Sequence, residues 1–128
     1  MKSPWQKHSS TIVFENPWWR VRQDIITRPD GSPGQYNIVE TSGSALVIAL
    51  TDNDDIVFVE QFRYITGRLS LELPGGSLDD DKPLACAQRE LQEESGMTAH
   101  KWTDFGEFVS LNGVVDELTH AFLAQDLV

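Results

Sequence analysis

The pattern of apolar and polar residues predicts a chain built mainly of β-strands. Residues 18–27 alternate imperfectly between apolar and polar side chains, and residues 35–40 place Tyr36 and Ile38 on one face. Between them, residues 28–34 contain two prolines and two glycines, which is typical of turns. These residues predict an N-terminal pair of antiparallel strands.

A second group of strands is predicted further along the chain. Residues 45–50 are continuously apolar, as is typical of a central strand that is buried on both faces. After a polar turn at residues 51–55, residues 56–61 are predicted to return as the hairpin partner of that strand. Leucines alternate with polar residues along residues 69–73, which predicts a strand that leads into a glycine-containing loop.

The segment Pro83–Ser95 is predicted to form a helix. A proline suits the first turn of a helix, and Gly96 suits the position just after its end. The apolar stripe of this helix is predicted to consist of Leu84, Ala87 and Leu91.

Two later strands, near residues 104–109 and 118–124, complete the predicted elements. One helix among many strands, without regular alternation of the two, indicates an α+β protein. The 128-residue length predicts a single domain. A break after residue 40 divides it into an N-terminal β-strand subdomain, residues 1–44, and a core, residues 45–128.

Composition and charge exclude several classes of function. Acidic residues outnumber basic ones 20 to 10, for a net charge of −10, which disfavours binding to nucleic-acid polymers. A small phosphorylated substrate remains possible if metal ions and a few arginines supply positive charge. No run approaches 18 apolar residues and no signal-peptide core is present, which predicts no membrane association. The single cysteine, Cys86, favours a cytoplasmic location.

Three carboxylates fall on one side of the predicted helix. Glu90 and Glu94 are one turn apart, and Glu93 lies beside them. Like charges at this spacing destabilise a helix by a few tenths of a kcal/mol per pair, and a hard divalent ion such as Mg²⁺ would remove that cost. A solvated acidic face is the alternative explanation.

The surrounding sequence resembles the Nudix box, Gly-x5-Glu-x7-Arg-Glu-U-x-Glu-Glu-x-Gly-U, in which U is a bulky apolar residue. Five residues separate Gly75 from Asp81, seven more lead to Arg89, and Glu-Leu-Gln-Glu-Glu-Ser-Gly-Met follows. Asp81 replaces the first glutamate of the pattern. In an alternative alignment the box glycine is Gly76, and the loop is then one residue short. The resemblance favours metal binding over a solvated face.

Segments outside the box resemble the ADP-ribose pyrophosphatase branch of the Nudix family. They include residues 16–21, 28–31, 59–64, 72–76 and 106–124, and together they span nearly the whole chain. The resemblance implies an α/β/α sandwich with a mixed sheet. It also implies that this chain lacks the closing C-terminal helix and the acidic loop in which several relatives carry the proposed catalytic base.

The pattern and the resemblance together assign roles to individual residues. Metal ligation is predicted for Glu90, Glu94, Glu93 and the carbonyl of Gly75, with the carbonyl of Gly76 as the alternative to that of Gly75. Catalytic roles are predicted for Glu93, for Arg89, which would orient Glu93 or Asp81, and for Glu117 as a substitute base. By the resemblance, Arg63 contacts a substrate phosphate, and Glu72 and Trp19 contribute to substrate binding. A surface ion pair is the alternative explanation for Arg63.

The favoured function is Mg²⁺-dependent hydrolysis, with Mn²⁺ as an alternative ion, of the pyrophosphate bond of a nucleoside diphosphate sugar. ADP-ribose, split to AMP and ribose 5-phosphate, is the favoured substrate. A nucleotide-binding or inactive module without the base loop is one alternative, and a hydrolase of other nucleoside polyphosphates is another. The resemblance also implies a homodimer with residues 18–19 at or near the interface.

Overall fold

The computed structural model describes residues 1–128, which form ten strands and one helix. In chain order these are β1 (Gln6–Glu15), β2 (Trp19–Thr27), β3 (Pro33–Thr41), β4 (Ser44–Ala49), β5 (Val59–Arg63), β6 (Arg68–Glu72), β7 (Gly75–Ser77), α1 (Pro83–Ser95), β8 (Ala99–Phe108), β9 (Val115–Asp116) and β10 (Thr119–Leu127). The elements confirm the α+β class. They belong to two compact units, one of Met1–Ser42 with Val109–Glu117 and one of Gly43–Phe108 with Leu118–Val128.

The first unit is a four-stranded sheet in the order β1-β2-β3-β9. The pairs β1–β2 and β2–β3 are antiparallel, which confirms the predicted N-terminal antiparallel strands. Strand β1 was not predicted, because its first half is a run of polar residues without alternation and its register is broken by two irregularities. Asp24 is buried in this unit and accepts hydrogen bonds from Ser10 and Arg22 at 2.6 and 3.0 Å.

The second unit contains a mixed sheet in the order β7-β4-β10-β8. Strand β4 is central, as predicted, and it pairs in parallel with β10 and antiparallel with β7. Its side chains differ between the two faces, however. Ala45, Val47 and Ala49 are fully buried on the side that packs against α1, whereas Leu46 and Ile48 on the opposite face are only half-buried.

The helix has the bounds that the sequence predicted, Pro83–Ser95. Gly96 takes a left-handed conformation with φ 74°, and its N–H donates to the carbonyl of Gln92 at 2.9 Å. The predicted apolar stripe is wrong at Leu84, which is 40% exposed, because the buried stripe extends to Cys86 and leaves Leu84 at its edge. At 13 residues, α1 is neither long nor apolar enough to span a membrane.

The predicted pairing of residues 56–61 with β4 is also wrong. Strand β5 pairs with β6 in a separate two-stranded sheet, and contact with the end of β4 is limited to a Leu50–Ile56 bridge and a Val57 N–H to Ala49 carbonyl bond of 2.9 Å. The physical reason is that both edges of β4 are already taken by β7 and β10.

Candidate active site

The glycine turn before α1 brings backbone groups to the carboxylates of the helix. The Val47 N–H donates to the Pro74 carbonyl at 2.8 Å, and Leu46 lies opposite Gly75 in the β4–β7 ladder. In an antiparallel ladder hydrogen-bonded and non-hydrogen-bonded pairs alternate, so the N–H and carbonyl of Gly75 both point away from β4. The Gly75 N–H donates to Oε2 of Glu94 at 2.9 Å.

The next residue, Gly76, provides the surface on which Glu90 lies. A Cβ added at Gly76 would be 2.4 Å from Oε1 and 2.5 Å from Cδ of Glu90. The carboxylate of Glu90 therefore lies directly against the backbone, and its side chain is only 12% exposed. Both glycines of the alternative box alignments thus contact a box glutamate. Gly75 donates its N–H to Glu94, and Glu90 lies where a side chain on residue 76 would be.

Arg89 is the centre of an ion-pair cluster on the same helix. Its guanidinium donates to Asp81 at 3.1 Å, to Glu90 at 2.7 Å and to Glu93 at 3.1 Å. The hydrogen bond that Arg89 donates to Asp81 and the charge of Glu90 raise the pKa of Arg89 against the opposing effect of burial. Arg89 therefore stays fully charged beside these three carboxylates, and Asp81 retains a pairing role despite its shorter side chain.

A second ion pair joins the two strands of the β5–β6 hairpin. Nε of Arg63 donates to Oε1 of Glu72 at 2.8 Å, and a second bond joins Nη2 to Oε2. The hydrogen bond and charge of Glu72, with a further contribution from the charge of Glu94, raise the pKa of Arg63 against burial. Because the charge of Glu94 contributes, the Arg63 guanidinium lies within electrostatic range of this one helix carboxylate.

The donor set has the chemistry of a hard divalent ion. Glu90 and Glu94 offer carboxylate oxygens, and the carbonyl of Gly75 points to the same side as the N–H that bonds Glu94; these are the ligand types that Mg²⁺ and Mn²⁺ prefer. In this arrangement no three His, Cys, Asp or Glu side chains lie close enough together to hold a metal ion. Each carboxylate is instead drawn to a protein donor, and Glu93 is 59% exposed.

Two of the predicted site residues lie in the first unit. Trp19 and Glu117 line one pocket of about 310 Å³, together with Val39, Thr41, Ser110, Leu111 and Val115. Thr41 donates from its hydroxyl to Oε2 of Glu117 at 2.8 Å, and the Trp19 ring packs on Phe14 with centroids 5.2 Å apart. The predicted residues therefore form two groups: Trp19 with Glu117 in the first unit, and the remaining seven in the second.

The side-chain contacts that hold the glycine turn in place were not predicted from the sequence. The sequence indicated no contact for Cys86, but this residue is buried and its thiol donates to the carbonyl of Ser77 at 3.2 Å. Arg89 contacts the same carbonyl at 3.4 Å. The signal was present in the spacing, because Cys86 lies one helical turn before both Arg89 and Glu90.

Comparison with known proteins identifies the class of this protein. The NUDIX domain model matches residues 41–127, and the model of the nucleoside diphosphate sugar hydrolase N-terminal domain matches residues 5–39. The chain belongs to the NUDIX family, which confirms the resemblance found in the sequence. Nudix hydrolases generally use divalent metal ions.

Individual relatives narrow the comparison. An ADP-ribose pyrophosphatase of Bacillus subtilis (strain 168) is 40% identical over 103 residues, which are 80% of this chain and 56% of that protein. An ADP-ribose pyrophosphatase of Mycobacterium tuberculosis is 33% identical over 93% of this chain and 58% of its own length. A GDP-mannose pyrophosphatase of Yersinia pestis (strain Pestoides F) is 33% identical over 88% of this chain and 63% of its own length.

These figures show that the chain spans less than two thirds of the length of these relatives. Among solved structures, a crystal structure described as an ADP compounds hydrolase aligns with a TM-score of 0.81 at 19% identity. The alignment covers all of this chain and 71% of that one. It confirms the Nudix-type fold, and the metal, substrate and catalytic roles of individual residues remain predictions.

Proposed function

We propose that this chain hydrolyses the pyrophosphate bond of a nucleoside diphosphate sugar, with ADP-ribose as substrate and AMP and ribose 5-phosphate as products. One observation carries the proposal: the glycine turn meets two helix carboxylates, Gly75 through a hydrogen bond to Glu94 and Gly76 through close packing of Glu90. The similarity to two ADP-ribose pyrophosphatases supports the choice of substrate.

The metal-holding residues in this proposal are Glu90, Glu94 and the carbonyl of Gly75, with Glu93 sharing ligation. A divalent ion held there, Mg²⁺ or Mn²⁺, would neutralise charge on the phosphate oxygens and would lower the pKa of a water molecule bound to it. Arg89 holds Glu90 and Glu93 on one side of the helix through its hydrogen bonds of 2.7 and 3.1 Å.

Arg63 is proposed to bind a phosphate of the substrate. Its planar guanidinium suits two-point contact with phosphate oxygens, and Glu72 orients it through a two-point pair of the same geometry. Because the charge of Glu94 acts on Arg63, a phosphate bound by Arg63 would also lie within electrostatic range of Glu94.

The reaction needs a water molecule and a base. The water oxygen forms a bond to one phosphorus, the bond from that phosphorus to the bridging oxygen breaks, and the bridging oxygen leaves with the other phosphate. We propose that Glu93 accepts the proton of the attacking water. Its side chain is 59% exposed and extends from α1 beside Glu90 and Glu94. Glu117 is the alternative base.

GDP-mannose is the second candidate substrate, because a GDP-mannose pyrophosphatase is 33% identical over 88% of this chain. A binding module without catalysis is the second class of function. It is favoured by the fact that each box carboxylate is already engaged by a protein donor. The same assay separates these alternatives, because the first predicts product from GDP-mannose and the second predicts no product from any substrate.

The test is product release from ADP-ribose, GDP-mannose, ATP and a dinucleoside polyphosphate, with Mg²⁺, with Mn²⁺ and with a chelator. We expect AMP from ADP-ribose only when metal is present, and loss of product in Glu94→Gln. Glu15→Gln, an exposed glutamate on β1, is the matched control and should retain activity. Metal-independent turnover, or substrate binding without any product, would contradict the proposal.

A further inference from the structure

A cavity beside α1 lies outside the candidate active site. It has a volume of about 410 Å³ and lies between the first turn of the helix and the strands β8 and β10. Trp102 on β8 lies opposite Ala124, a core residue that packs with α1, so the cavity is on the face of the sheet that the helix covers. It is here called the helix-flank cavity, and its walls include Lys82, Leu84, Trp102, Asp104, His120 and Phe122.

The helix-flank cavity is separate from the carboxylates that are proposed to hold metal. Glu90 and Glu94 meet the glycine turn at β7, which is one edge of the four-stranded sheet. Strand β8 is the opposite edge of that sheet, and β10 is its neighbour. Around the helix, Leu84 lies about 120° from Glu90. The two sites therefore share one helix but use different sides of it.

The apolar walls of the cavity offer a surface for a flat ring. Trp102 and Phe122 pack edge to face with ring centroids 6.5 Å apart, and Leu84 on the helix is 40% exposed. The indole N–H of Trp102 already donates to the Ala99 carbonyl at 3.1 Å, so the ring offers the cavity apolar surface and no free donor. Nucleobases bind to such surfaces because every base has a π-face.

The polar groups of the cavity have unused hydrogen-bonding capacity. Lys82 precedes the helix without a capping bond from its side chain, and its ammonium has no carboxylate partner. Nδ1 of His120 lies 3.6 Å from Oε2 of Glu107, and Nε2 has no protein partner. One oxygen of Asp104 accepts from the Gly106 N–H at 2.7 Å, which leaves the second oxygen as an acceptor for a ligand.

This combination of groups selects a class of ligand. The volume falls in the range of roughly 300–1,000 Å³ that small-molecule sites occupy, which is more than an inorganic ion fills. A simple anion would use Lys82 but not the ring surface, and a neutral ring compound would leave Lys82 unpaired. A nucleoside monophosphate has a flat base, N–H donors, sugar hydroxyls and a phosphate, so it matches every group in the cavity.

We propose that the helix-flank cavity is a second ligand site that binds a nucleoside monophosphate. The base lies against Trp102 and Leu84 with an amino group donating to Asp104, and the phosphate pairs with Lys82. A sugar hydroxyl bonds Nε2 of His120, which suits either protonation state because a hydroxyl both donates and accepts. The choice of AMP as the ligand rests on the proposed function, of which AMP is a product. The product would then bind a second time, on the helix that carries Glu90 and Glu94.

The test is calorimetric titration of the whole chain with AMP in the presence of a chelator, which removes metal-dependent binding at the carboxylates. We expect one AMP per chain. Lys82→Ala should weaken binding at least about 10-fold, because it removes a charge-assisted contact. Lys101→Ala removes the same charge from the other face of β8 and should leave binding unchanged. Adenosine, ribose 5-phosphate and inorganic phosphate should each bind at least about 10-fold more weakly than AMP.

A measurement on the unmodified chain covers the case in which a variant changes the fold. AMP should shift the nitrogen-15 indole signal of Trp102, assigned with Trp102→Phe, and should leave that of Trp5 in the first unit unchanged. Absence of metal-free binding, equal affinity in Lys82→Ala, or inorganic phosphate binding as tightly as AMP would each overturn the proposal. Because AMP is added directly, a failure of the chain to hydrolyse ADP-ribose would leave this result unaffected.

Discussion

Two single substitutions, Gly75→Ala and Gly76→Ala, each add one methyl group to the glycine turn. We expect the first to lower mainly the stability of the fold and the second to lower mainly metal binding. In Gly76→Ala the new Cβ would meet Oε1 and Cδ of Glu90 at 2.4 and 2.5 Å. In Gly75→Ala it would meet the Ala45 carbonyl oxygen at 2.5 Å and Cα of Leu46 at 3.2 Å. The first obstacle is the end of a flexible side chain and the second is the backbone of the central strand β4.

The two costs in folding free energy can be estimated from these contacts. Neither glycine has a positive φ, so alanine introduces no backbone strain at either position. At Gly76, a displaced Glu90 rotamer costs about 0.5–1.5 kcal/mol, and the lower entropy of the unfolded chain returns about 0.4–1 kcal/mol. The net change is within about 1 kcal/mol. At Gly75 the strand must move, and overpacking of this kind costs about 1–3 kcal/mol.

Thermal unfolding and metal titration measure the two effects. We expect the Tm of Gly75→Ala to fall by roughly 4–12 °C and that of Gly76→Ala by no more than about 4 °C. Gly76→Ala should bind Mn²⁺, followed by electron paramagnetic resonance, at least about 10-fold more weakly than the unmodified chain, because Glu90 is pushed off the turn. Hydrolysis should fall in the same variant.

The reverse pattern would refute this reasoning. If Gly76→Ala melts as early as Gly75→Ala, the Glu90 side chain is not free to move and the packing argument fails. If Gly76→Ala melts normally and keeps full Mn²⁺ affinity, the contact between Gly76 and Glu90 has no part in metal binding. The double variant Gly76→Ala with Glu90→Gln then serves as the control, because it shows how much Mn²⁺ binding remains without the Glu90 carboxylate.

Three further predictions follow from single contacts. Glu94→Gln removes charge with little change in shape, so hydrolysis should drop at least about 100-fold while Tm stays nearly constant; near-normal turnover at saturating Mg²⁺ would disprove the metal assignment. Arg63→Ala should raise KM more than it lowers Tm, and Arg63→Lys should rescue KM only partly, because an ammonium lacks the guanidinium fork; a variant that melts early but has a normal KM would make Arg63 structural. Burial raises the pKa of Asp24, but hydrogen bonds from Ser10 and Arg22 outweigh burial and hold the pKa below the ordinary value of 3.8. The ionised Asp24 therefore stabilises the fold above pH 3.8, and this stabilisation is lost as the pH falls through the pKa of the folded state. Chemical denaturation between pH 2.5 and 6 should therefore show a shallower acid loss in Asp24→Asn, and identical slopes would contradict this linkage.

The helix was predictable because its limits depend on local chemistry. Pro83 fits the first turn and Gly96 supplies the left-handed residue that ends the helix, so both ends are encoded in neighbouring residues. The central position of β4 was predictable for a similar reason, since a continuous apolar run is buried wherever it lies. Its unequal faces were not, because a run of apolar residues carries no information about which face meets the helix.

The pairing of β5 depended on residues far away in the chain. The sequence between 50 and 56 has the polar turn of a hairpin, and the expectation that β5 returns along β4 followed from that turn alone. β7 and β10 occupy the edges of β4, and β10 lies more than 60 residues further on. The alternating leucines of β6 gave the strand correctly, but alternation does not reveal that Leu69 and Leu71 face outward.

The three box glutamates show where spacing stops being informative. At about 100° per residue, Glu90 and Glu94 are separated by about 40° around the helix. Glu93 lies about 60° from Glu90 and about 100° from Glu94. The buried stripe of Cys86, Ala87 and Leu91 places the first two against the glycine turn and leaves Glu93 outside it. Spacing alone grouped all three as equivalent acids. Their contacts nevertheless differ. Glu90 lies against the backbone of Gly76, Glu94 accepts from the N–H of Gly75, and Glu93 accepts from Arg89. These differences follow from how the helix packs on β4 and β7. That difference is the physical basis for proposing Glu90 and Glu94 as the main metal ligands and Glu93, which would share ligation, as the acceptor of the water proton.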